Sequence, residues 1–323
     1  NIAEDHIIKF AFDTAQDLLK IGEDPLILDN EKEDRKVDPS KFLKWLMPQI
    51  NGDEMYYLLL DEVQKLGAFE SVLNGFLRNS NVDVYVTGSN SRFLSKDILT
   101  EFEGRGDEVH ILPLSFSEYY AFIQGDKSEA YDDYSVYGGL PAVALMTTEE
   151  QKTTYLISQM KNVYLRDIIL RYSVQDEAAL GEVMDVIASG ISTLTNPRKI
   201  ASTMNSVHGT TTCDTTVDKY IGYAEEAFIL TRVKRYNVKG RKYIGTPYKI
   251  YFEDIGLRNA RLAFRQIEGT HIMENIIYNE LRFRGYGIPG NRRAGTCRRD
   301  PQKDVRVRGY SSARRPCNSA CAA

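Results

Sequence analysis

Two adjacent carboxylates, Asp61 and Glu62, follow directly after the apolar run Tyr56–Leu60. A nearly continuous apolar run of this length is typical of a parallel strand that is buried on both faces. Ligands of open α/β sheets bind at the carboxyl ends of the strands, where both side chains would lie. In ATP-hydrolysing enzymes of this architecture, the aspartate holds Mg²⁺ through water and the glutamate polarises the attacking water. We therefore predict that Asp61 binds Mg²⁺ and nucleotide and that Glu62 is catalytic; an acidic strand end without function is the alternative.

Two more polar residues lie where such chemistry would need them. Asn90 follows the next apolar run, Val82–Val86, and its amide could help to orient the attacking water beside the γ-phosphate. Capping of the following helix is the other interpretation, because Asn favours such positions. Arg105 lies between two glycines and could reach the nucleotide of a neighbouring subunit, which would require at least a dimer. A surface ion pair with Glu103 or Asp107 explains Arg105 nearly as well.

The elements that would position these residues are short apolar runs separated by helical patterns. The runs are Ile7–Phe12, Tyr56–Leu60, Val82–Val86 and Val109–Leu114. Between the first three, Pro39–Met47 and Phe69–Leu77 have the apolar spacing of helices, and Asp38 is a suitable N-cap for the first of them. Alternating strands and helices predict a three-layer α/β domain with a parallel sheet.

The rest of the chain is mainly helical and includes a hairpin pattern. The predicted helices are Ser115–Ile123, Glu149–Arg171, Glu177–Ser189 and Ile272–Leu281, with two more between residues 197 and 225. Two strands, Ala227–Tyr236 and Tyr248–Phe252, then flank a basic turn. A pair of helices followed by such a hairpin predicts a winged-helix-like domain.

Six basic residues cluster in the proposed wing. These candidate nucleic-acid contacts are Arg232, Lys234, Arg235, Lys239, Arg241 and Lys242. Each Lys or Arg of such a stripe can neutralise one phosphate of DNA. The alternative is that they only protect the edge of the hairpin, as lysines at turns often do. The acidic remainder of the chain argues against general nucleic-acid binding, so DNA is one candidate partner among others.

Charge and cysteines are distributed unevenly over the 323 residues. Residues 290–323 hold eight Arg and one Lys against two Asp, a formal charge of +7. Because the net charge of the whole chain is −4, the other residues together carry −11. Three of the four cysteines also lie in that tail, which favours translation in a shifted reading frame over a basic disordered arm. The single remaining cysteine fits a reducing cytoplasm, and His and Cys show no metal-binding spacing. No apolar run approaches the roughly 20 residues that a membrane span needs.

Several stretches together resemble one family. In order they are Leu59–Gln64, Tyr85–Ser91, Gly104-Arg105, Leu112–Phe116, Tyr137–Pro141, Asp254–Asn259 and Glu274-Asn275. Over residues 3–288 they resemble prokaryotic predicted AAA superfamily (P-loop) ATPases with a C-terminal domain of unknown function 4143. The resemblance implies ATP binding and hydrolysis with Mg²⁺, an AAA-like parallel sheet, a restriction-endonuclease-like C-terminal region, and a poorly defined DNA-associated or defence-like role.

The sequence departs from that family near its beginning. It contains no Gly-Lys dipeptide, so the phosphate-binding loop Gly-x-x-x-x-Gly-Lys-Ser/Thr is missing. Ile7–Phe12 resembles the family's second strand, and the missing first strand is internal to the family's sheet order 5-1-4-3-2. Losing an internal strand would expose its neighbours. We therefore expect a fragment that binds ATP weakly or not at all on its own.

A second departure lies near the other end. Glu274 would correspond to the first acidic residue of the nuclease-like fold. A metal-dependent nuclease also needs an Asp and a Glu/Gln-x-Lys on a following hairpin, and the sequence passes into the basic tail instead. We predict no nuclease activity and a structural role for Glu274.

These observations divide the chain into five predicted parts. They are an incomplete AAA-type core (1–125), a helical segment (126–195), a winged-helix-like domain (196–262), the start of a nuclease-like domain (263–289) and the basic tail (290–323). The favoured function is ATP binding and hydrolysis in the cytoplasm, directed at DNA or a protein partner, in a fragment inactive alone. The alternative is a winged-helix DNA-binding or adaptor protein with a non-catalytic ATPase scaffold. A homo-oligomer is compatible with both, and membrane association is not expected.

Overall fold

The computed structural model describes residues 3–28, 35–88, 109–209, 211–236, 243–265 and 267–286. Two separate clusters of buried hydrophobic residues lie in these ranges. The N-terminal core takes its buried residues from Ile8 to Phe76, and the C-terminal core takes its own from Tyr119 to Ile276. Among the described residues, no helix is long and apolar enough to cross a bilayer.

A three-stranded parallel sheet forms the centre of the N-terminal core, with the order β1-β2-β3. The strands are β1 (Ile7–Ala11), β2 (Tyr56–Asp61) and β3 (Val82–Val86). The register pairs Ile8 with Leu58 and Leu58 with Val84, so alternate side chains share one face. Three of the four predicted strands are confirmed. Their order matches three adjacent strands, 2-3-4, of the sheet that the resemblance implies.

Helices pack against one face of this sheet. They are α1 (Ala15–Lys20), α2 (Pro39–Leu46) and α3 (Phe69–Phe76), with short 3₁₀ turns at Glu4–His6, Pro25–Leu28, Met47–Gln49 and Val63–Lys65. Asp38 caps α2 as predicted, since its Oδ1 accepts the N–H of Ser40 at 2.8 Å. Phe42 of α2 packs against Phe10 of β1 with ring centroids 5.1 Å apart, which fixes the helix on the buried face.

The opposite face of the sheet is more open. Lys9, Leu59 and Tyr85 are neighbours across the three strands on this face. Leu59 and Tyr85 are 36% and 44% exposed. Parallel sheets are usually covered on both faces, which was the basis of the strand predictions. Within the described residues, that expectation holds for one face only.

The fourth predicted strand, Val109–Leu114, is wrong. These residues are described and form no strand, and Val109 and Ile111 are 81% and 87% exposed. An apolar run becomes a strand only where a neighbouring strand offers free N–H and C=O groups. In the sheet order that the resemblance implies, this run would pair with a first strand that is not among the described residues. Residues 109–115 form a connector instead, and the N–H of Leu114 donates to Gly139 O at 2.8 Å.

The C-terminal core is built mainly from helices. Those before the hairpin are α4 (Phe116–Ile123), α5 (Lys127–Tyr137), α6 (Pro141–Ala144), α7 (Glu149–Ser158), α8 (Arg166–Tyr172), α9 (Glu177–Ser189), α10 (Pro197–His208) and α11 (Asp214–Glu226). Those after it are α12 (Ile255–Arg261) and α13 (Gly269–Phe283). The π-helical segment Gln159–Leu165 joins α7 to α8. Each predicted helix of this half is confirmed, and the last begins three residues earlier than predicted, at Gly269.

An antiparallel hairpin follows α11. Its strands are β4 (Leu230–Tyr236) and β5 (Tyr243–Phe252). An isolated bridge pairs Thr195, which precedes α10, with Tyr248 of β5. The N–H of Thr195 donates to Tyr248 O at 2.8 Å, and the N–H of Tyr248 returns a bond of 3.0 Å. The predicted helix pair and hairpin are therefore confirmed and tied to each other.

Candidate functional site

The carboxyl ends of β1, β2 and β3 meet at one edge of the sheet. Beyond the strands, the N–H of Phe12 donates to Asp61 O at 3.0 Å, and that of Thr87 donates to Leu60 O at 2.9 Å. The N–H of Val63 donates to Thr87 O at 3.3 Å. The backbone ladder thus continues past the strand ends and fixes the residues that follow them.

Asp61 is exposed at the end of β2, and the neighbouring strand orients it. The hydroxyl of Thr87 donates to Asp61 Oδ1. The same hydroxyl oxygen accepts the N–H of Glu62 at 3.4 Å. Thr87 therefore touches both members of the acidic pair. Thr87 was not singled out from the sequence, although its position directly after β3 was a usable signal.

Glu62 has a left-handed backbone, with φ 52° and ψ 43°. Residues other than glycine rarely adopt this conformation, and such outliers concentrate at functional sites. Its half-buried carboxylate accepts a hydrogen bond from Nε2 of Gln64. Burial raises the pKa of Glu62 despite that hydrogen bond, and the charges of Asp13 and Asp61 raise it further. A raised pKa makes this carboxylate a stronger proton acceptor.

A second pair of acids lies where β1 ends. Asp17 Oδ2 accepts the N–H of Ala11 at 2.8 Å, and Lys20 Nζ donates to Asp17 Oδ1 at 2.5 Å. Although burial disfavours its charge, these hydrogen bonds lower the pKa of Asp17, so it is a structural carboxylate. Asp13 acts on Glu62 through its charge. Neither acid was singled out from the sequence, because only the strand β2 ended in an adjacent acidic pair.

The other two predicted catalytic residues, Asn90 and Arg105, lie outside the described residues. The structure therefore brings Asp61 and Glu62 together and places neither of the other two. That Asn90 lies beside Asp61 and Glu62 stays a prediction.

The side chains at the sheet edge suit a Mg²⁺ ion that also binds water and substrate, and they do not suit a metal enclosed by protein ligands alone. In the described part of the chain, no group of three or more His, Cys, Asp or Glu side chains could hold a metal. Asp61 offers an exposed carboxylate, and the Thr87 hydroxyl lies beside it. Mg²⁺ typically keeps several waters and takes one or two carboxylates together with substrate phosphates. The residues present fit that kind of shared site.

The basic residues of the hairpin fall into two groups. Arg232 is bound to acids of α11: its Nε donates to Glu225 Oε2 at 2.8 Å, and its Nη1 donates to Asp218. Lys234 is exposed. The remaining side chains, Arg235, Lys239, Arg241 and Lys242, lie outside the described part of the structure. Two acids thus already neutralise the first of the six predicted phosphate contacts.

Glu274 lies on α13 and faces the hairpin. Lys249 Nζ donates to Glu274 Oε1 at 2.6 Å, and the hydroxyl of Tyr251 donates to the same oxygen at 2.7 Å. Burial disfavours the charge, but these partners lower the pKa of Glu274. The carboxylate therefore joins α13 to β5.

Two family models match separate parts of the chain. Residues 9–120 match the family described as "AAA domain", and residues 128–268 match "Domain of unknown function (DUF8612)". The AAA match supports an ATPase-like, nucleotide-binding P-loop domain around the sheet. The domain of unknown function 4143 that the resemblance implied is not shown, since the second match is to a different family.

The relatives and the solved structure add little about activity. An uncharacterised protein of Haemophilus influenzae is 32% identical over 243 residues, covering 74% of this chain and 60% of that protein. An uncharacterised protein of Methanocaldococcus jannaschii is 24% identical over 298 residues, covering 88% of this chain and 60% of that protein. The chain thus spans 60% of the length of each relative. The Walker-type ATPase PABY2304 of Pyrococcus abyssi aligns at a TM-score of 0.47 and 12% identity, covering 80% of this chain and 91% of that one.

Proposed function

We propose that the domain around β1–β3 binds ATP with Mg²⁺ and hydrolyses it, with Asp61 as the metal-side carboxylate and Glu62 as the general base. The observation that carries the proposal is the arrangement of Asp61, Glu62 and Thr87 at the carboxyl edge of a parallel sheet, where ligands of this architecture bind. The AAA match over residues 9–120 gives the same class of chemistry.

Each of these side chains has a distinct task. Asp61 would hold Mg²⁺ through water, and the ion would supply charge stabilisation for the phosphates. Thr87 orients Asp61 by donating to Oδ1. Glu62 accepts the proton of the attacking water, which its raised pKa favours. Gln64 holds the Glu62 carboxylate in place by donating to it.

Two more residues complete the proposed reaction. Asn90 would orient the attacking water, since it follows the strand next to the acidic pair. Arg105 would stabilise the transferring phosphoryl group of a neighbouring subunit, which makes a homo-oligomer part of the proposal. We propose that the protein acts in the cytoplasm.

We expect the 323 residues to bind the phosphates of ATP weakly. They contain no Gly-Lys dipeptide and therefore no phosphate-binding loop of the Gly-x-x-x-x-Gly-Lys-Ser/Thr type. The β- and γ-phosphates therefore lack the backbone N–H groups and the lysine that such loops provide. We expect this chain alone to bind ATP no more tightly than about 1 mM, or some 4 kcal/mol.

The test is a titration of the 323-residue chain with ATP, with and without Mg²⁺, combined with a phosphate-release assay. Asp61→Asn should abolish the Mg²⁺ dependence of binding. Glu62→Gln should keep this weak binding and remove whatever phosphate release the wild type shows. Asp53→Asn, near the opposite end of β2, is the matched control and should change neither. Unchanged hydrolysis in Glu62→Gln would sink the proposed base, and tight Mg²⁺-dependent binding would contradict the expected weak phosphate affinity.

A second proposal concerns the partner of the ATPase. We propose that α9, α10, α11 and the hairpin form a winged-helix-like domain that contacts a protein partner in preference to DNA. The order of these helices, the Thr195 bridge and the hairpin supports such a domain. Arg232 argues against DNA, because Glu225 and Asp218 of α11 already neutralise its charge.

DNA binding can be measured directly by fluorescence anisotropy of a labelled duplex at low salt. We expect no salt-dependent binding, either for the wild type or for a triple Ala variant of Arg235, Arg241 and Lys242. Binding by the wild type that this triple variant loses would restore the DNA proposal.

The part around α13 is proposed to be the start of a nuclease-like domain without catalysis. Oε1 of Glu274 already accepts hydrogen bonds from Lys249 and Tyr251, which supports a structural role for this carboxylate. Metal-dependent cleavage of a DNA substrate by this chain would refute the proposal.

A further inference from the structure

Three motifs that lie far apart in the sequence meet at one buried joint. Asp254 is 2% exposed, and its Oδ2 accepts the N–H of Gly139 at 2.7 Å. Its Oδ1 accepts the N–H of Leu257 at 3.0 Å, which caps α12. Gly139 in turn accepts the N–H of Leu114 at 2.8 Å. A chain of hydrogen bonds therefore runs from the connector, through the turn after α5, to the start of α12.

The joint has no room for side chains at its glycines. A Cβ added to Gly139 would lie 2.2 Å from Leu114 O, and one added to Gly138 would lie 2.3 Å from Asp254 Oδ1. At Gly256 the added atom would lie 2.1 Å from the carbonyl oxygen of Tyr137. Gly138 also has φ 75°, which side chains disfavour. The three segments thus approach at backbone contact distance.

Side chains on two helices lock the same segments. The hydroxyl of Tyr134 donates to Leu114 O at 2.8 Å, so both backbone groups of Leu114 are bonded. Asn259, fully buried on α12, donates from Nδ2 to Val136 O at 2.8 Å and to Ser135 O at 3.1 Å. These bonds satisfy carbonyls at the end of α5 that have no partner within the helix.

The connector is exposed at its start and buried at its end. Val109 and Ile111 are 81% and 87% exposed, whereas Ser115 is buried at 6%. His110 makes a ring contact with Phe228, with centroids 4.7 Å apart. At its end the connector is tied to the C-terminal core, because both backbone groups of Leu114 are bonded and Ser115 caps α4 through a capping box with Glu118.

We propose that Gly139 and Asp254 clamp the end of the connector to the C-terminal core, so that residues 114–115 form a strap that moves with that core as one rigid body. The proposal is independent of nucleotide binding. It assigns a mechanical task to the Gly-Gly and Asp-Ile-Gly motifs, which the ATPase chemistry does not use.

The test is amide hydrogen exchange of the nucleotide-free chain, read at Leu114. In the wild type the Leu114 amide should exchange at least about tenfold more slowly than that of Ile111, because it donates to Gly139 O. Gly139→Ala pushes a methyl group against Leu114 O and should remove that protection. Gly222→Ala is the matched control, since a Cβ there meets nothing within 4 Å.

Each outcome decides the proposal. Loss of Leu114 protection in Gly139→Ala, with β4 and β5 amides and the Gly222→Ala control unchanged, supports the strap. If Gly139→Ala fails to fold, Tyr134→Phe removes one hydroxyl bond without adding atoms and should raise exchange at Leu114 selectively. A wild-type Leu114 amide that exchanges as fast as that of Ile111 overturns the proposal, as does full protection retained in both variants.

Discussion

The sheet edge and the buried joint both centre on an aspartate, and they use it in opposite ways. Asp61 is exposed, with the Thr87 hydroxyl on one oxygen. Asp254 is 2% exposed, and backbone N–H groups of Gly139 and Leu257 occupy its two oxygens. The carboxylate of Asp61 remains accessible to a metal or a nucleotide, whereas both oxygens of Asp254 already accept backbone hydrogen bonds. Both stretches contribute to one family resemblance, so resemblance alone does not separate chemistry from architecture.

Backbone conformation separates the two regions in the same way. At the sheet edge Glu62 adopts a left-handed backbone, which costs a non-glycine residue on the order of 1 kcal/mol. At the joint the positive-φ position is occupied by Gly138, with φ 75° and ψ −162°, a conformation that glycine adopts readily. Of these two positions, only the one at the sheet edge is strained.

The largest effect should come from Asp254→Ala, which tests whether the joint is architectural. It leaves the N–H groups of Gly139 and Leu257 buried without acceptors, so we expect the free energy of unfolding to fall by about 4 kcal/mol. Urea unfolding followed by circular dichroism measures it. Asp126→Ala, at the exposed N-cap of α5, is the control and should cost about 1 kcal/mol. Equal losses in the two variants would break the contrast between the regions.

The pH dependence of stability sharpens the same contrast. Burial raises the pKa of Asp254 from 3.8 to about 6, against the opposing backbone hydrogen bonds. Between these values the folded protein keeps a proton that the unfolded chain has released. Stability should therefore fall as pH rises from about 4 to about 6, by about 3 kcal/mol, and then level off. The difference between wild type and Asp254→Asn in urea unfolding isolates this contribution, and a difference of the opposite slope would contradict it.

A smaller effect is expected at the sheet edge from Glu62→Gly. The substitution relieves the left-handed strain, so the N-terminal core should gain about 1 kcal/mol while losing any hydrolysis. Urea unfolding followed by the fluorescence of Trp45 reports that core. Ala68→Gly is the control, because Ala68 has φ 47° and carries no charge. Stabilisation by the control together with destabilisation by Glu62→Gly would show that Glu62 holds the fold together.

The smallest effect is expected from Thr87→Val. Stability should change by less than about 0.5 kcal/mol, because Thr87 is exposed. Loss of the bond to Asp61 should weaken Mg²⁺-dependent nucleotide binding about threefold, the equivalent of somewhat under 1 kcal/mol. Titration of Thr87→Ser, which keeps the hydroxyl, should restore wild-type affinity. Equal weakening by Ser and Val would show that Thr87 acts through its shape.

The sheet edge was predictable from the sequence in part. An apolar run followed by two acids locates Asp61 and Glu62, because strand length and composition are local properties. The left-handed backbone of Glu62 and the contact between Thr87 and Asp61 depend on strand register, which the pattern does not give. Val109–Leu114 shows the converse, since a run with strand composition forms no strand where none of the described strands lies beside it.

The joint was visible in the sequence only as motifs. Gly138-Gly139 and Asp254 were noted only as parts of a family resemblance. Their contact joins positions 115 residues apart, and no periodicity predicts such a pairing. The need for glycine at 139 and 256 follows from backbone contacts that exist only in the folded chain. Local patterns therefore predicted the elements, and tertiary packing decided the role of these residues.

The π-helical segment Gln159–Leu165 determines how a one-residue change in chain length affects the helix that follows it. Its wider turns hold more residues than an α-helix would along the same path. Removing one residue there would let the helix continue as α with α8 in nearly its present orientation, because the wider turns accommodate the extra residue. Tyr172 would then keep its stack on Tyr223, where the ring centroids are 3.7 Å apart. The same deletion inside α8 would instead turn the rest of that helix by about 100° about its axis, so the π-helical segment is where a single-residue length difference changes the helix contacts least.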